Sequence, residues 1–181
     1  VDIFIPTYIT KRDIVGVEKS YGYRPVVRLF FAIEYSIFGM NPVAGHMINI
    51  LIYLTLVLIL YQLLRRFFRD YSIWFPFAVI LLFIAHPVHT EVVASLKNRD
   101  EMLSMIFSLL TLQMLLKYHD RNKIIFLVTG LLLYALAFLS KPTALAFWFV
   151  FPLVFWSFTD MKPKKILTIT GLITLMIILG G

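Results

Sequence analysis

The sequence contains no cysteine among its 181 residues. Disulfide bonds and thiolate metal sites are therefore excluded in this chain. Charged residues are also sparse, at 15%, whereas 60% of the residues are hydrophobic. Soluble domains usually contain roughly 45–50% apolar residues. The composition therefore indicates an integral membrane protein, organised as one helical unit without a separate soluble domain.

Both ends of the sequence suggest a segment of a longer protein. The chain starts at Val1, and its N-terminal region lacks the basic segment and short apolar core of a signal peptide. At the other end the chain stops at Gly181, inside an apolar run. We therefore expect residues 1–181 to be a single helical membrane domain within a longer protein. In this interpretation residues 1–42 form an external loop and a juxtamembrane helix, and residues 43–181 form transmembrane helices.

Long apolar runs predict an all-α, multi-pass transmembrane bundle with about six spans. The first apolar run, Pro25–Phe38, is shorter than the roughly 20 residues that a span needs. We expect it to form a helix that lies along the membrane surface. The predicted spans are Val43–Leu64, Ser72–Pro87, Met102–Leu116, Ile124–Ser140, Pro142–Phe158 and Ile166 to the end.

Basic residues are distributed unevenly between alternate loops, and this explains the net charge of +7 without nucleic-acid binding. One set of loops holds Arg65, Arg66, Arg69, Lys117, Arg121, Lys123, Lys162, Lys164 and Lys165, against Asp70, Asp120 and Asp160. The other set holds Lys97, Arg99 and Lys141, against Glu91, Asp100 and Glu101. Because basic loops tend to be cytoplasmic, the first set is predicted to be cytoplasmic and the second external or luminal.

Several cations fall on the side where this tendency disfavours them, namely Arg24, Arg28, Lys97, Arg99 and Lys141. Ionisable groups close to the membrane often bind a charged ligand or take part in chemistry. A phosphate or pyrophosphate on a lipid carrier is the anion expected at that depth, since arginine grips its oxygens bidentately and lysine supplies a point charge. For Lys141 the alternative is an ordinary loop lysine.

A second polar motif, His86-Pro87-Val88-His89-Thr90-Glu91, separates two apolar runs. Its spacing differs from the His-Glu-x-x-His motif of zinc hydrolases. Three interpretations remain. His86, His89 and Glu91 could bind a metal, or Pro87 could simply end a helix while polar residues cap the next one. The third interpretation, which we favour, gives His89 and Glu91 a catalytic or substrate-orienting role as acid, base or hydroxyl acceptor.

His46 and Asn49 lie near the start of the first predicted span, three residues apart, so on a helix they share a face. They could orient a substrate. The alternative is a hydrogen bond to a neighbouring helix, which is the commoner role of such residues in membrane bundles.

These polar motifs follow one another in a distinctive order. They are Tyr23-Arg24-Pro25-Val26, Gly39-x-Asn41-Pro42 with His46 and Asn49, His86-Pro87-Val88-His89-Thr90-Glu91 with Arg99, and Ser140-Lys141-Pro142. Their order and spacing resemble the membrane region of the transmembrane and tetratricopeptide-repeat O-mannosyltransferases and their bacterial relatives. Those enzymes are members of the polytopic C-type (GT-C) glycosyltransferase superfamily. The resemblance extends from about Tyr23 to Leu145, and the His-Pro-x-His-Thr-Glu run is its most specific part.

The resemblance implies a partial GT-C-like fold and a membrane glycosyltransferase with inverting chemistry. Such an enzyme transfers a sugar, here with mannose as the candidate, from a dolichyl- or polyprenyl-phosphate donor to a protein or glycan acceptor. The reaction takes place at the external or luminal face of the bacterial inner membrane or the endoplasmic reticulum membrane. The lipid-linked sugar phosphate is a co-substrate, no further cofactor is implied, and dependence on a divalent metal stays open.

Within this interpretation the predicted site residues form three groups. The lipid phosphate is bound by Arg24, Arg28, Arg99 and Lys141, which stabilise the charge that develops on the leaving group. The catalytic group consists of His89 and Glu91. The substrate is oriented by His46, Asn49 and His86.

The main catalytic base is expected before Val1. In enzymes of this kind an acidic pair in the first external loop is the usual candidate for the base that activates the acceptor. Here Asp13 and Glu18 stand apart from each other, and neither belongs to an acidic dipeptide. The segment is therefore not expected to act alone.

Two rival functions make different predictions. A non-enzymatic transporter or lipid-binding scaffold should place polar groups near the bilayer midplane and broken helices in two matching repeats, whereas the polar groups here cluster at one predicted face. A metal-dependent membrane hydrolase should lose activity to chelators and should require both His86 and His89.

Overall fold

A computed structural model describes residues 24–180 of the chain. Within that range the backbone forms eight α-helices and two 3-10 turns, without any strand. In chain order these are α1 Pro25–Phe38, α2 Pro42–Phe67, α3 Trp74–Ala85, α4 Val88–Ala94, a 3-10 turn Leu96–Asn98, α5 Arg99–Arg121, α6 Ile124–Ser140, a 3-10 turn Pro142–Ala146, α7 Phe147–Phe158 and α8 Pro163–Gly180. The all-α prediction is confirmed for these residues, while the external loop predicted ahead of Tyr23 lies outside them.

Local sequence signals set the boundary between α1 and α2. Gly39 ends α1 with a φ of 63°, a left-handed conformation that glycine adopts without a steric penalty. The side chain of Asn41 then caps α2, because its Oδ1 accepts hydrogen bonds from the amides of Val43 (3.0 Å) and Ala44 (3.3 Å). Pro42 occupies the first helical turn, where its missing N–H costs nothing.

A sharp bend of 66° separates α3 from α4. His86, between the two helices, has an extended backbone with a ψ of 127°. A residue that precedes proline is pushed away from the helical conformation, and His86 precedes Pro87. The polar motif therefore starts at a bend, and its second half forms α4 instead of the loop that the sequence predicted.

Another predicted boundary was wrong. α5 begins at Arg99, three residues before the predicted start of the third span, because Asp100 and Glu101 form its first turn. Carboxylates at that position interact favourably with the positive end of the helix dipole. The bounds predicted for the fifth span, Pro142–Phe158, match one apolar helical segment, which begins as a 3-10 turn and continues as α7.

The core is built around α5, which packs against α2 and α6. Leu115 and Leu116 of α5 have no exposed surface. Gly130 of α6 allows a close helix approach here, since a Cβ at this position would lie 3.2 Å from Cδ2 of Leu115. Large apolar side chains on the outer surface, such as Leu58 and Leu132, are exposed as expected for residues that face lipid.

Between residues 24 and 180, two helical segments are long and apolar enough to cross a membrane by themselves, Pro42–Phe67 and Leu96–Arg121. The bent pair of α3 and α4 would make a third if it forms one span. The prediction of about six spans is thus not confirmed and stays a prediction, as does the placement of α1 along the membrane surface.

Charged residues of α5 lie at its two opposite ends. The Arg99 end contacts residues from α1 and α2. At the other end Asp120 accepts a hydrogen bond from Arg66 of α2 at 2.8 Å. This separation agrees with the grouping of the loops into two sets, and the assignment of one set to the cytoplasm stays a prediction.

Candidate functional site

Charged and amide side chains from distant parts of the chain meet where α5 begins. We name them the charged cluster, which consists of Arg24, Glu34, Asn49, Arg99, Asp100, Glu101 and Lys141. Its residues come from four places in the fold, which are α1 with the residue before it, the first half of α2, the first turn of α5 and the C-terminal end of α6. The cluster contains three cations and three carboxylates, so its formal net charge is zero.

Arg99 is the buried centre of this cluster and has no exposed surface. Its Nε donates to Oδ1 of Asn49 at 2.8 Å, its Nη2 donates to the Gly45 carbonyl at 3.1 Å, and its Nη1 forms an ion pair with Glu34. The guanidinium carbon also lies 4.4 Å from the centroid of the Phe31 ring. A buried charge is tolerated only when it is paired and hydrogen-bonded, as this one is. Enclosed in this way, Arg99 could contact a donor phosphate only if the cluster opened, and we interpret it as a structural residue.

Asn49 joins three elements of the bundle. Its Oδ1 accepts from Arg99, and its Nδ2 donates to the carbonyls of Val93 (3.1 Å) and Ser95 (3.3 Å) at the end of α4. These bonds satisfy backbone acceptors that a helix C-terminus leaves free. Asn49 is fully buried, so the helix-packing alternative describes its position better than direct contact with a substrate does.

Gly45 explains how Glu34 reaches the buried guanidinium. A Cβ at Gly45 would lie 3.0 Å from Oε1 of Glu34 and 3.1 Å from Cδ2 of Leu96. A larger residue would therefore crowd the Glu34 carboxylate and the Leu96 side chain. The Glu34 carboxylate that pairs with Arg99 thus uses the space that Gly45 leaves open.

Asp100 holds the outer half of the cluster. Its side chain is 2% exposed and pairs with Arg24, while its Oδ2 lies 3.5 Å from Nζ of Lys141. Its Oδ1 accepts a hydrogen bond from the Glu101 amide at 2.8 Å. One buried carboxylate thus fixes two of the cations that the sequence assigned to phosphate binding.

Lys141 and Glu101 form the open edge of the cluster. They are paired with each other, and Oγ1 of Thr143 lies 3.3 Å from Oε2 of Glu101, within hydrogen-bonding distance. The Glu101 side chain is 42% exposed, whereas that of Lys141 is 17% exposed. These groups could exchange their present partners for a ligand without opening the buried centre.

A cavity of about 360 Å³ adjoins this open edge. Glu101, Ser104 and Thr143 line it, and so do Tyr53 of α2 and His89 of α4. The rest of the lining is mostly apolar. A small number of polar groups in an apolar cleft of this size is typical of sites for small ligands.

Two of the histidines line a second groove, with a volume of about 560 Å³, between α2 and the α3–α4 bend. His46 and His89 both line it, together with Tyr53. The His89 ring lies 4.2 Å from the centroid of Phe83 and 5.7 Å from that of Tyr53, and the His86 ring lies 6.0 Å away. His89 therefore contributes to both cavities.

The metal-site interpretation of the histidine motif gains no support. Among the residues that the structure describes, no three His, Cys, Asp or Glu side chains are grouped closely enough to hold a metal ion.

The predicted site residues are thus only partly brought together. The charged cluster contains Arg24, Asn49, Arg99 and Lys141, and the adjoining cavities contain His46 and His89. His86 borders His89 on the outer surface. Two residues stand apart: Glu91 is exposed on α4 and Arg28 is exposed on α1. Neither lines the two cavities described above.

The sequence interpretation assigned no role to the three carboxylates of the cluster, Glu34, Asp100 and Glu101. Glu34 could have been found from the sequence, because it lies within a mostly apolar helix and a carboxylate there needs a partner. Asp100 and Glu101 were recognised as charged but were placed in a loop. The sequence alone therefore suggests cations that are free for a ligand, whereas Arg24, Arg99 and Lys141 each have a carboxylate partner.

The bundle and its cavities define a helical membrane protein with a ligand-sized, mostly apolar cavity beside a charged cluster at one end. Residues 23–180 match the family described as dolichyl-phosphate-mannose-protein mannosyltransferase. Because the match covers most of the chain, the chain belongs to this family. The resemblance to O-mannosyltransferases that the motifs indicated is confirmed.

Named relatives agree with this assignment. The chain is 34% identical over 114 residues to the protein O-mannosyl-transferase F38B6.6 of Caenorhabditis elegans, which covers 61% of this chain and 16% of the relative. It is 32% identical over 103 residues to the mouse protein O-mannosyl-transferase TMTC2, covering 57% and 12%. It is 35% identical over 89 residues to the human protein O-mannosyl-transferase TMTC1, covering 49% and 10%.

The matched segment is thus a small part of each of these relatives, at 10–16% of their length. No solved structure matches this chain.

Proposed function

We propose that this chain is the donor-binding membrane segment of a glycosyltransferase. The full-length enzyme would transfer mannose from a dolichyl- or polyprenyl-phosphate donor to a protein or glycan acceptor. Family membership supports the reaction class. The observation that carries the assignment of the site is the cavity lined by Glu101, Thr143 and His89, because Lys141 is paired with Glu101 at its edge.

Donor binding would exchange partners at the open edge of the charged cluster. Lys141 now pairs with the Glu101 carboxylate. A phosphate that enters the cavity presents charged oxygens like those of the carboxylate. It would replace Glu101 as the partner of Lys141, and the Thr143 hydroxyl would donate a further hydrogen bond to it. Arg99 would stay enclosed, so its role is to hold α1, α2 and α5 around the site. His89 would contact the sugar or the acceptor from α4.

The transfer step itself makes one bond and breaks one. The acceptor hydroxyl oxygen bonds to the anomeric carbon of the sugar, and the bond between that carbon and the phosphate oxygen breaks with its electron pair leaving on the phosphate. The acceptor proton passes to a carboxylate base outside this segment. Lys141 stabilises the charge that develops on the phosphate, and such electrostatic stabilisation is usually the largest contribution to the rate.

We assign the site to the external or luminal face of the membrane. We also assign a multi-pass fold with about six spans to this part of the full protein. The basic loops at the opposite end support this orientation. The endoplasmic reticulum membrane fits best, since the relatives named above come from animals.

Lys141 provides the test. In the full-length protein, Lys141→Ala should lower kcat for mannose transfer from dolichyl-phosphate mannose by a factor on the order of 10²–10³, the usual loss when one donor to a developing charge is removed. Lys141→Arg keeps the charge and should retain a larger share of the activity. Transfer is measured with a radiolabelled donor and a purified acceptor protein.

The matched control is Arg66→Ala, which removes one positive charge at the opposite end of the bundle. Arg66 pairs with Asp120 there, and both side chains are more than a third exposed. This variant should transfer mannose like the parent. If Lys141→Ala also transferred at the parental rate, the donor-site assignment would fail. Absence of transfer by the parent protein itself would instead favour the non-enzymatic scaffold or transporter.

A further inference from the structure

A third cleft opens at the opposite end of the bundle from the charged cluster. It has a volume of about 380 Å³ and lies between the α5–α6 corner and the first turns of α8. Its lining consists of Tyr118, Asn122, Leu127, Lys164, Lys165, Thr168, Ile169 and Leu172. The proposed transfer reaction uses none of these residues.

The cleft has a cationic rim and an apolar floor. Lys164 and Lys165 supply two positive charges, and its lining residues include no carboxylate. Leu127 and Ile169 are buried and form the floor with Leu172. This arrangement suits a ligand with an anionic head and a hydrocarbon tail.

Lys165 is fixed at the rim by its neighbours. Its Nζ donates to Oδ1 of Asn122 at 2.6 Å and lies 4.4 Å from the centroid of the Tyr118 ring. Asn122 ends α5 with a left-handed backbone, at a φ of 50°. Neither of these two neighbours carries a negative charge.

Other basic residues add to the positive charge around the cleft. The helix ends and loops at this end hold nine basic and three acidic residues, and one of those acids, Asp120, is already paired with Arg66. Basic pockets between transmembrane helices at such an end bind the headgroups of acidic lipids.

We propose that this cleft binds an anionic phospholipid of the adjacent leaflet. Its phosphate would lie on Lys164 and Lys165 beside the Asn122 amide, and one acyl chain would lie along the leucines and isoleucine of the floor. This site is separate from the donor site and does not rest on the proposed transferase activity.

The test is lipid binding to the full-length protein in detergent, measured by native mass spectrometry during titration with phosphatidylserine or phosphatidylcholine. Phosphatidylserine should bind with the higher affinity. Lys164→Gln combined with Lys165→Gln should weaken its apparent affinity by a factor on the order of thirty, from the usual contribution of two basic residues near a lipid headgroup. Lys164→Arg with Lys165→Arg should bind like the parent.

A matched control removes two charges from the same end but outside the cleft. Lys117→Gln with Lys123→Gln changes the net charge equally, and both lysines are exposed. This pair should leave phosphatidylserine binding within about twofold of the parent, since neither lysine lines the cleft and exposed charges are screened by salt. An equal loss in both double variants, or no loss in either, would overturn the proposal.

Two soluble probes separate the lipid from its headgroup. Glycerophosphoserine and inorganic phosphate carry the anion without the acyl chains, and neither should displace bound phosphatidylserine at millimolar concentration. Displacement by either would show a simple anion site and refute the lipid assignment. If the glutamine pair does not fold, the comparison of phosphatidylserine with phosphatidylcholine on the parent and on the arginine pair still decides the outcome, because equal binding of the two lipids contradicts the proposal.

Discussion

Replacing Arg99 by methionine should destabilise the protein strongly, because this arginine is fully buried at the centre of the charged cluster. Methionine has a similar length but carries no charge. The substitution leaves Glu34 without its cation and leaves Oδ1 of Asn49 and the Gly45 carbonyl without their donor. The substitution thus removes one side chain and with it the interactions of three partners.

The magnitude follows from burial. Breaking a buried ion pair by removing one partner typically costs about 3–5 kcal/mol, and an unsatisfied buried acceptor costs about 1–3 kcal/mol. These contributions overlap, so we expect a total loss of about 3–5 kcal/mol in the free energy of unfolding. Arg66→Met provides the comparison, since its pair with Asp120 is 2.8 Å long but exposed, and exposed pairs are worth about 0–1 kcal/mol.

The assay is unfolding of the full-length protein in SDS, followed by circular dichroism for parent, Arg99→Met, Arg66→Met and the double variant Arg99→Met with Glu34→Gln. Removing the stranded carboxylate in the double variant should recover part of the loss, with a coupling energy of about 0.5–3 kcal/mol. Equal losses at Arg99 and Arg66 would refute the reasoning. So would a fully stable Arg99→Met protein that had lost transfer alone, because that result would assign Arg99 to the chemistry.

Two further substitutions test the packing around the cluster. Gly45→Ala should destabilise the protein by about 1–3 kcal/mol, since the added Cβ would meet the side chains of Glu34 and Leu96 at 3.0–3.1 Å; a lowered melting temperature of the full-length protein would show it, and an unchanged one would contradict the tight packing of these side chains on Gly45. Asn41→Ala should cost about 1 kcal/mol by removing the cap of α2, measured in the same SDS unfolding assay, whereas Asn41→Ser should restore most of the stability.

Helix bounds could be predicted from the sequence where proline or glycine marks the end of a helix. The observed α1 and α6 have the predicted bounds, because Pro25 and Gly39 delimit the first and Lys141-Pro142 follows the second. The start of α5 could not be predicted in this way. Its first turn is charged, and a charged stretch between apolar runs resembles a loop until the helix dipole is considered.

Pairing in the charged cluster was beyond sequence reasoning for a different reason. Arg99 and Glu34 are 65 residues apart, and Arg24 and Asp100 are 76 residues apart. Helical periodicity describes neighbours within one helix, not contacts between helices. The sequence could indicate that Arg24, Arg99 and Lys141 belong to one end of the bundle. It could not indicate that carboxylates already neutralise them.

The position of the histidine motif was only partly predictable, for the same reason. The bend at Pro87 could be expected from the proline alone. His89 lines both the cavity beside Glu101 and the groove of His46. This depends on how α4 packs against α2, which no local pattern specifies.

The claim that the donor phosphate binds beside Lys141 is tested most directly by photo-crosslinking. The full-length protein is labelled with a photoreactive polyprenyl phosphate, digested, and analysed by mass spectrometry to locate the adduct. We predict adducts in the segment that contains Thr143 and in α4 near His89, with competition by dolichyl-phosphate mannose. Competable adducts confined to the opposite end of the bundle, around Arg66 or Lys165, would contradict the account.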